Sequence, residues 1–271
     1  MSDISLLPPS EHYQYFSYLF HSEILIPYEK YLPDAIPNWP YPSLDLQRFK
    51  KLFLEDLDYI KDCRILDLGC HIGYMSYIAK YLGAKSIHGV NARKFPLTVA
   101  EYAYSQLDVT DYKFDQQNIE DLNFLKSACQ DKDTVILTQV LEHLKNPYAL
   151  LETISNSDIK NIIFESSILD DDVGPPKLEY YLQSTEGAFL AYDNDPTKKM
   201  TVGSLPNLAW IEQMLYWFGW KIEVHKLDRQ FSKNWFATPG LEKNPPRTYK
   251  SVTILCQKFD TNSVNKNNYE C

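Results

Sequence analysis

The middle of this chain predicts an α/β fold built on a parallel sheet, and three observations carry that reading. Short apolar runs recur as RILDLG at 64–69, SIHGVN at 86–91, DTVILT at 133–138 and IKNIIFE at 159–165. They are too short for helices and suit buried strands. Stretches with helical spacing of apolar residues lie between them. The strict alternation of the two requires crossover connections, which cover both faces of a sheet.

Each element follows in order. Residues 1–45 carry Tyr13, Tyr15, Phe16, Tyr18, Phe20, Tyr28, Tyr31, Trp39 and Tyr41, interrupted by Pro27, Pro33, Pro37, Pro40 and Pro42. So many aromatics argue against disorder, and the prolines against one long helix. We expect a short helix near 11–20 and then an extended segment, together an N-terminal extension or lid. Leu46–Ile60 has helical spacing. After the strand at 64–69, Tyr74–Leu82 is helical and stops at Gly83. The strand at 86–91 leads to a helix over Pro96–Gln106, a short strand over Asp111–Asp115 and a helix over Ile119–Cys129. The strand at 133–138 leads to a helix opening at Asn146-Pro147. The strand at 159–165 ends in an interruption, 166–206, rich in Asp, Pro and Gly. Asn207–Phe218 is helical, Trp220–Leu227 and Ser251–Phe259 are strands, and the loop joining those strands is long enough to be functional. The tail 260–271 reads as disordered.

The 271 residues are 44% hydrophobic and 23% charged, enough for one large domain with additions. The formal net charge of −9 gives no general attraction for phosphate backbones or anionic membranes. The five cysteines include no C-x-x-C pair, so neither a disulfide framework nor a thiolate metal site is expected. The first residues have no basic start and no apolar core, and no apolar run reaches the ~20 residues of a membrane span. These features together fit a cytoplasmic protein.

The strand at 64–69 ends in Asp67 and turns through Gly69, Cys70, His71, Ile72 and Gly73. Ligands of open α/β sheets sit beyond the carboxyl ends of the strands, and glycine lets a backbone approach one. The spacing is G-x-x-x-G, not the G-x-G-x-x-G of dinucleotide binders. A pyrophosphate would gain nothing from Asp67, whereas a ligand carrying an ammonium group would.

With ILDLGCHIG at 65–73, IHGVNARKF at 87–95, QQNIEDL at 116–122 and DTVILTQVLEHLKNP at 133–147, the chain resembles the class I S-adenosylmethionine-dependent methyltransferases, small-molecule type. The resemblance covers roughly 46–166, and the last helix and two strands fit the family's ending. It implies a doubly wound, mostly parallel seven-stranded sheet with an antiparallel last strand, in one domain over 46–259 with a substrate-side insertion at 166–206. The implied cofactor is S-adenosylmethionine, held by Asp67, Gly69, Cys70, Gly73, Asn91, Ala92, Asn118, Ile119 and Gln139. Asn91 and Asn118 stand where the family usually has acids, for the ribose hydroxyls and the adenine amino group. Asparagine keeps an acceptor oxygen and loses the charge. Arg93 is placed to reorganise the ribose contact.

His143 is the candidate base, since a histidine near its ordinary pKa takes a proton from a hydroxyl or amine. Glu142 is its candidate partner, and Glu165, Tyr15 and Tyr181 are candidates for the substrate wall. Structural alternatives stand beside each. Asp67 could cap the following turn, the asparagines could serve turn chemistry, Gln139 could be a solvated loop residue, and Glu142 and His143 could form a structural network. No metal is expected: Asp170-Asp171-Asp172 reads as a solvated acidic loop. Asn244-Pro245-Pro246-Arg247 lies before the last strand and ends in arginine, so it does not match the N-P-P-aromatic motif of nucleic-acid amino-methylating enzymes.

The resulting expectation is O- or N-methylation of a small polar organic substrate, with no membrane or nucleic-acid partner. The sequence leaves a homo-oligomer open. The alternatives are a protein or RNA methyltransferase, or a cofactor-binding scaffold without catalysis.

Overall fold

The computed structural model describes residues 57–106, 109–169, 174–184, 200–231 and 249–259. The expected helix near 11–20, Tyr15, and the tail 260–271 lie outside the described residues. So does most of the helix expected over 46–60, of which Leu57–Tyr59 is a 3-10 turn.

The elements run β1 (Arg64–Leu68), α1 (Tyr74–Tyr81), β2 (Ser86–Asn91), α2 (Lys94–Gln106), β3 (Tyr112–Gln116), α3 (Leu122–Ala128), β4 (Thr134–Thr138), a 3-10 turn (Leu141–His143), and α4 (Pro147–Ser155). Then follow β5 (Asn161–Leu169), β6 (Leu178–Ser184), β7 (Met200–Pro206), α5 (Leu208–Trp217), β8 (Trp220–Phe231) and β9 (Tyr249–Lys258). Seven strands form one sheet in the order β3-β2-β1-β4-β5-β9-β8. β1 to β5 pair in parallel. β9 runs antiparallel between β5 and β8.

Neighbouring residues along each strand point to opposite faces, and both faces are covered. Leu66, Val135, Ile162 and Ile254 bury one face against Leu125 of α3, Leu151 of α4 and Leu215 of α5. Ile65, Ile136, Ile163 and Leu255 bury the other against Ile78 of α1 and Ala103 and Tyr104 of α2. The carboxyl ends of the five parallel strands therefore share one rim.

Several expected boundaries shift for local reasons. α2 starts at Lys94 rather than Pro96; a proline is tolerated in a first turn, where its missing N–H has no partner to lose. α3 starts at Leu122 rather than Ile119, because Asp121 caps it by accepting from the Asn123 and Phe124 amides. β5 continues four residues past Glu165 and β8 runs to Phe231. The expected interruption at 166–206 contains β6 and β7, which pair antiparallel as a two-stranded sheet of their own.

Candidate active site

The loop after β1 is stitched to the end of β2. The Gly69 and Cys70 amides donate to the Val90 carbonyl at 2.8 and 3.0 Å. Gly69 and Gly73 have φ of +78° and +75°, the left-handed region that glycine enters without strain. The loop closes with the Gly73 amide donating to the Cys70 carbonyl at 2.8 Å, and Tyr104 Oη of α2 donates to the Gly73 carbonyl at 2.9 Å. Cys70 is buried, and its sulfur stands 2.9 Å from where a β-carbon on Gly89 would lie, so the thiol is packed inward. Burial pushes that thiol well above its ordinary range, and the Asp67 charge adds to the effect.

Asp67 is 1% exposed and accepts a short hydrogen bond from Ser76 Oγ. Burial raises its carboxyl pKa to about 7, only partly opposed by the Ser76 hydrogen bonds. Asp67 is thus a buried acid beside the glycine loop, tied to the first turn of α1 through the Ser76 hydroxyl. His71, in the same loop, has φ of +53°. Burial, aided by the Arg93 charge, lowers its pKa to about 3, so its imidazole is neutral at pH 7. His71, Ser76 and Tyr104 escaped the sequence reading. Only the first had a local signal, its place between the two glycines.

At the end of β2, Asn91 Nδ2 donates 3.2 Å to the Arg93 carbonyl, and Gln116 Nε2 donates 3.3 Å to that of Ala92. The Gln117 amide donates to the Asn91 carbonyl at 3.1 Å, which holds Asn118 on the same rim. Asn118 Oδ1 accepts from the Glu120 amide at 2.9 Å, an Asx turn that leads into α3. Ile119 beside it is buried.

Past β4, Gln139 has φ of +54°, an uncommon conformation for a residue with a side chain. Its Nε2 donates to Glu165 Oε1 at 3.2 Å, and its Oε1 accepts from Ser167 Oγ at 3.3 Å. Gln139 therefore bridges β4 to β5 rather than lying in solvent. Glu165 is buried, beside Thr138 on one strand and Thr253 on the other. The Thr253 hydroxyl is buried without a hydrogen-bond partner among the described residues.

Glu142 and His143 sit in the 3-10 turn. Glu142 is 1% exposed, and its carboxylate accepts from Ser166 Oγ at 2.9 Å and from the Ser167 amide at 3.4 Å. The Glu142 carboxylate thus grips β5. Tyr181, expected in the substrate wall, donates its hydroxyl to the Glu142 carbonyl at 2.8 Å. His143 itself is half-buried. Among the described residues, no group of His, Cys, Asp and Glu is arranged to hold a metal ion, and no helix is long and apolar enough to cross a membrane.

Residues 60–185 match the family model described as a methyltransferase domain. That match and the seven-stranded fold support a class I S-adenosylmethionine-dependent methyltransferase. No curated protein sequence matches this methyltransferase. Among solved structures, the N-terminal domain of EvdMO1 with SAH bound is 16% identical, with a TM-score of 0.57 over 76% of this chain and 79% of its own. The same domain in the presence of SAH and D-fucose is 15% identical, with a TM-score of 0.61 over 87% of this chain and 96% of its own. The [4+2]-cyclase SpnF is 12% identical, with a TM-score of 0.51 over 79% of this chain and 81% of its own. At such identities the likeness is one of fold, and a cyclase among the matches shows that the fold alone does not assign a reaction.

Proposed function

We propose that this methyltransferase transfers a methyl group to a hydroxyl or amine of a small polar organic molecule. The observation that carries the cofactor half is the rim after β1: two glycines at positive φ beside a buried carboxyl whose hydrogen-bond partner among the described residues is Ser76. That cradle fits S-adenosylmethionine. The glycines allow close backbone approach, and Asp67 suits an ammonium group. Asn91 offers its Oδ1 to ribose hydroxyls. Ile119 suits the adenine ring, and Asn118, with Oδ1 already taking one N–H, keeps a second lone pair for the adenine amino group. When bound, the cofactor supplies an electrophilic methyl on sulfur, which leaves as a neutral thioether.

The chain's own part is alignment and proton removal. His143, on the turn that follows β4, takes the proton as the acceptor's oxygen or nitrogen bonds to carbon. Glu165 and the Thr253 hydroxyl, which has no hydrogen-bond partner among the described residues, form the polar end of the rim and favour an acceptor rich in hydrogen-bonding groups. The D-fucose present with EvdMO1 supports a hydroxyl-bearing acceptor of that kind. The net charge of −9 argues against an RNA acceptor.

The test begins with calorimetric titration of the protein with S-adenosylmethionine and with S-adenosylhomocysteine. Binding that is lost in Asp67→Ala supports the site. S-adenosylhomocysteine release is then followed across a panel of monosaccharides and small amines. Binding without turnover on any acceptor favours the non-catalytic scaffold, and absence of binding by folded protein overturns the cofactor assignment.

A further inference from the structure

The β6–β7 pair meets the turn after β4 at three places. Tyr181 Oη donates to the Glu142 carbonyl at 2.8 Å, and Ser204 Oγ donates to the Leu144 carbonyl at 2.9 Å. Gly203 lies so close that a β-carbon there would stand 2.7 Å from the Glu142 carbonyl oxygen and 2.7 Å from the Tyr181 ring. On its other side the same turn is gripped by β5, through Ser166 and Ser167 on the Glu142 carboxylate. The carbonyls directly before and after His143 are thus both held by hydroxyls from β6 and β7, and the side chain before it is held by β5. A short 3-10 turn has few internal hydrogen bonds, here His143 N–H to the Val140 carbonyl and Leu144 N–H to the Leu141 carbonyl. Its shape therefore depends on these outside contacts.

We propose that Tyr181 and Glu142 are positioning residues for His143, and that the β6–β7 pair is the element that sets the imidazole's place. The proposal rests on the methyl-transfer reading above for its kinetic consequence, but not for its structural one. Neither residue needs to touch the acceptor. Tyr181 has its hydroxyl on a backbone carbonyl and its ring against Leu169 and Leu205. Displacement of a reacting group by about 1 Å costs on the order of a hundredfold in rate, so fixing this turn matters if His143 is the base.

The experiment compares the native chain with Tyr181→Phe and Ser204→Ala. NMR-detected amide exchange reads the His143 and Leu144 N–H groups, and calorimetry reads S-adenosylhomocysteine affinity. Loss of one hydrogen bond should speed exchange at both amides about fivefold. Exchange at Gly69–Gly73 and the ligand affinity should stay unchanged. With an acceptor from the screen, kcat should fall about tenfold or more at nearly constant KM. Glu142→Gln, which keeps an acceptor for the Ser167 amide, should be milder than Glu142→Ala. Unchanged exchange at 143 and 144 in both variants overturns the proposal. So does a raised KM at constant kcat, which would return Tyr181 to acceptor binding. If no acceptor is found, the exchange measurement still decides the positioning role, and only the transfer reading fails.

Discussion

Val140 Cγ2 occupies the space above Gly69: a β-carbon on that glycine would lie 2.4 Å from it. The loop after β1 and the turn after β4 are therefore in direct contact, and the proposed cofactor side of the rim touches the side that carries His143. Gly69→Ala meets two obstacles, this contact and a φ of +78°. The left-handed conformation alone costs about 1–2 kcal/mol for an alanine. We expect a lower Tm and at least tenfold weaker S-adenosylhomocysteine binding. Adding Val140→Ala removes the clash and leaves the φ penalty, so calorimetry on the double variant should show partial rescue. Full rescue would mean that φ is not the constraint.

Asp67 gives a pH signature opposite in sign to that of most carboxylates. Its folded pKa of about 7 lies above the ordinary value of 3.8. Between those two values the folded state holds a proton that the unfolded state has released. Stability from this group is complete at low pH, falls as pH rises from about 4 towards 7, and stays at its minimum above. Asp67→Asn should therefore raise Tm at pH 8 relative to the native chain more than at pH 5. A Tm difference independent of pH would contradict the shifted pKa.

The same carboxyl should release protons when a cationic ligand binds. At pH 7 Asp67 is partly protonated beforehand, so binding of the S-adenosylhomocysteine ammonium group should expel a fraction of a proton. Titrations in phosphate and in Tris buffer, which differ in ionisation enthalpy, measure this directly. Equal apparent enthalpies in the two buffers would place the ligand's ammonium elsewhere.

His143→Ala should separate chemistry from binding. General-base removal costs roughly 10²–10⁴ in kcat, while cofactor affinity should not change, because the proposed cofactor contacts lie on the rim of β1 to β3. Steady-state rates with an acceptor from the screen, beside a titration of the variant, make the comparison. Native turnover in the variant would mean that the acceptor loses its proton without this imidazole.

Far from the rim, Trp220 is fully buried and donates its indole N–H to Ser155 Oγ at 2.7 Å, joining β8 to the end of α4. Trp220→Ala should destabilise by about 3–5 kcal/mol in urea unfolding, with ligand affinity intact for the folded fraction. A loss below about 1 kcal/mol would show that the site collapses around the smaller residue.

What the sequence made legible follows from what hydrophobic patterning can record. β1, β2 and β4 announced themselves as buried runs, and Gly69 and Gly73 marked the turn after β1, where both take a positive φ. The end of β5 did not. Glu165 reads as the last residue of its strand and Ser166-Ser167 as the start of a loop, yet all three are buried within β5, because β9 pairs with them and Glu142 and Gln139 satisfy their polar groups. Polarity marks a need for partners, not exposure, and those partners come from distant segments. The role of Tyr181 was hidden likewise, since an aromatic in an insertion gives no hint that its hydroxyl meets a backbone carbonyl 39 residues away.

The placing of β9 bears on how the molecule is made. β9 spans Tyr249–Lys258 and fills the slot between β5 and β8. On the ribosome, β5 emerges long before its neighbour does, and all nine of its residues are destined for burial. Until β9 is synthesised, the nascent sheet has an apolar, unpaired border in its eventual interior, and β8 has no strand to join. Closing the sheet is thus a late, long-range event, and chains halted before residue 249 should be the species that chaperones retain.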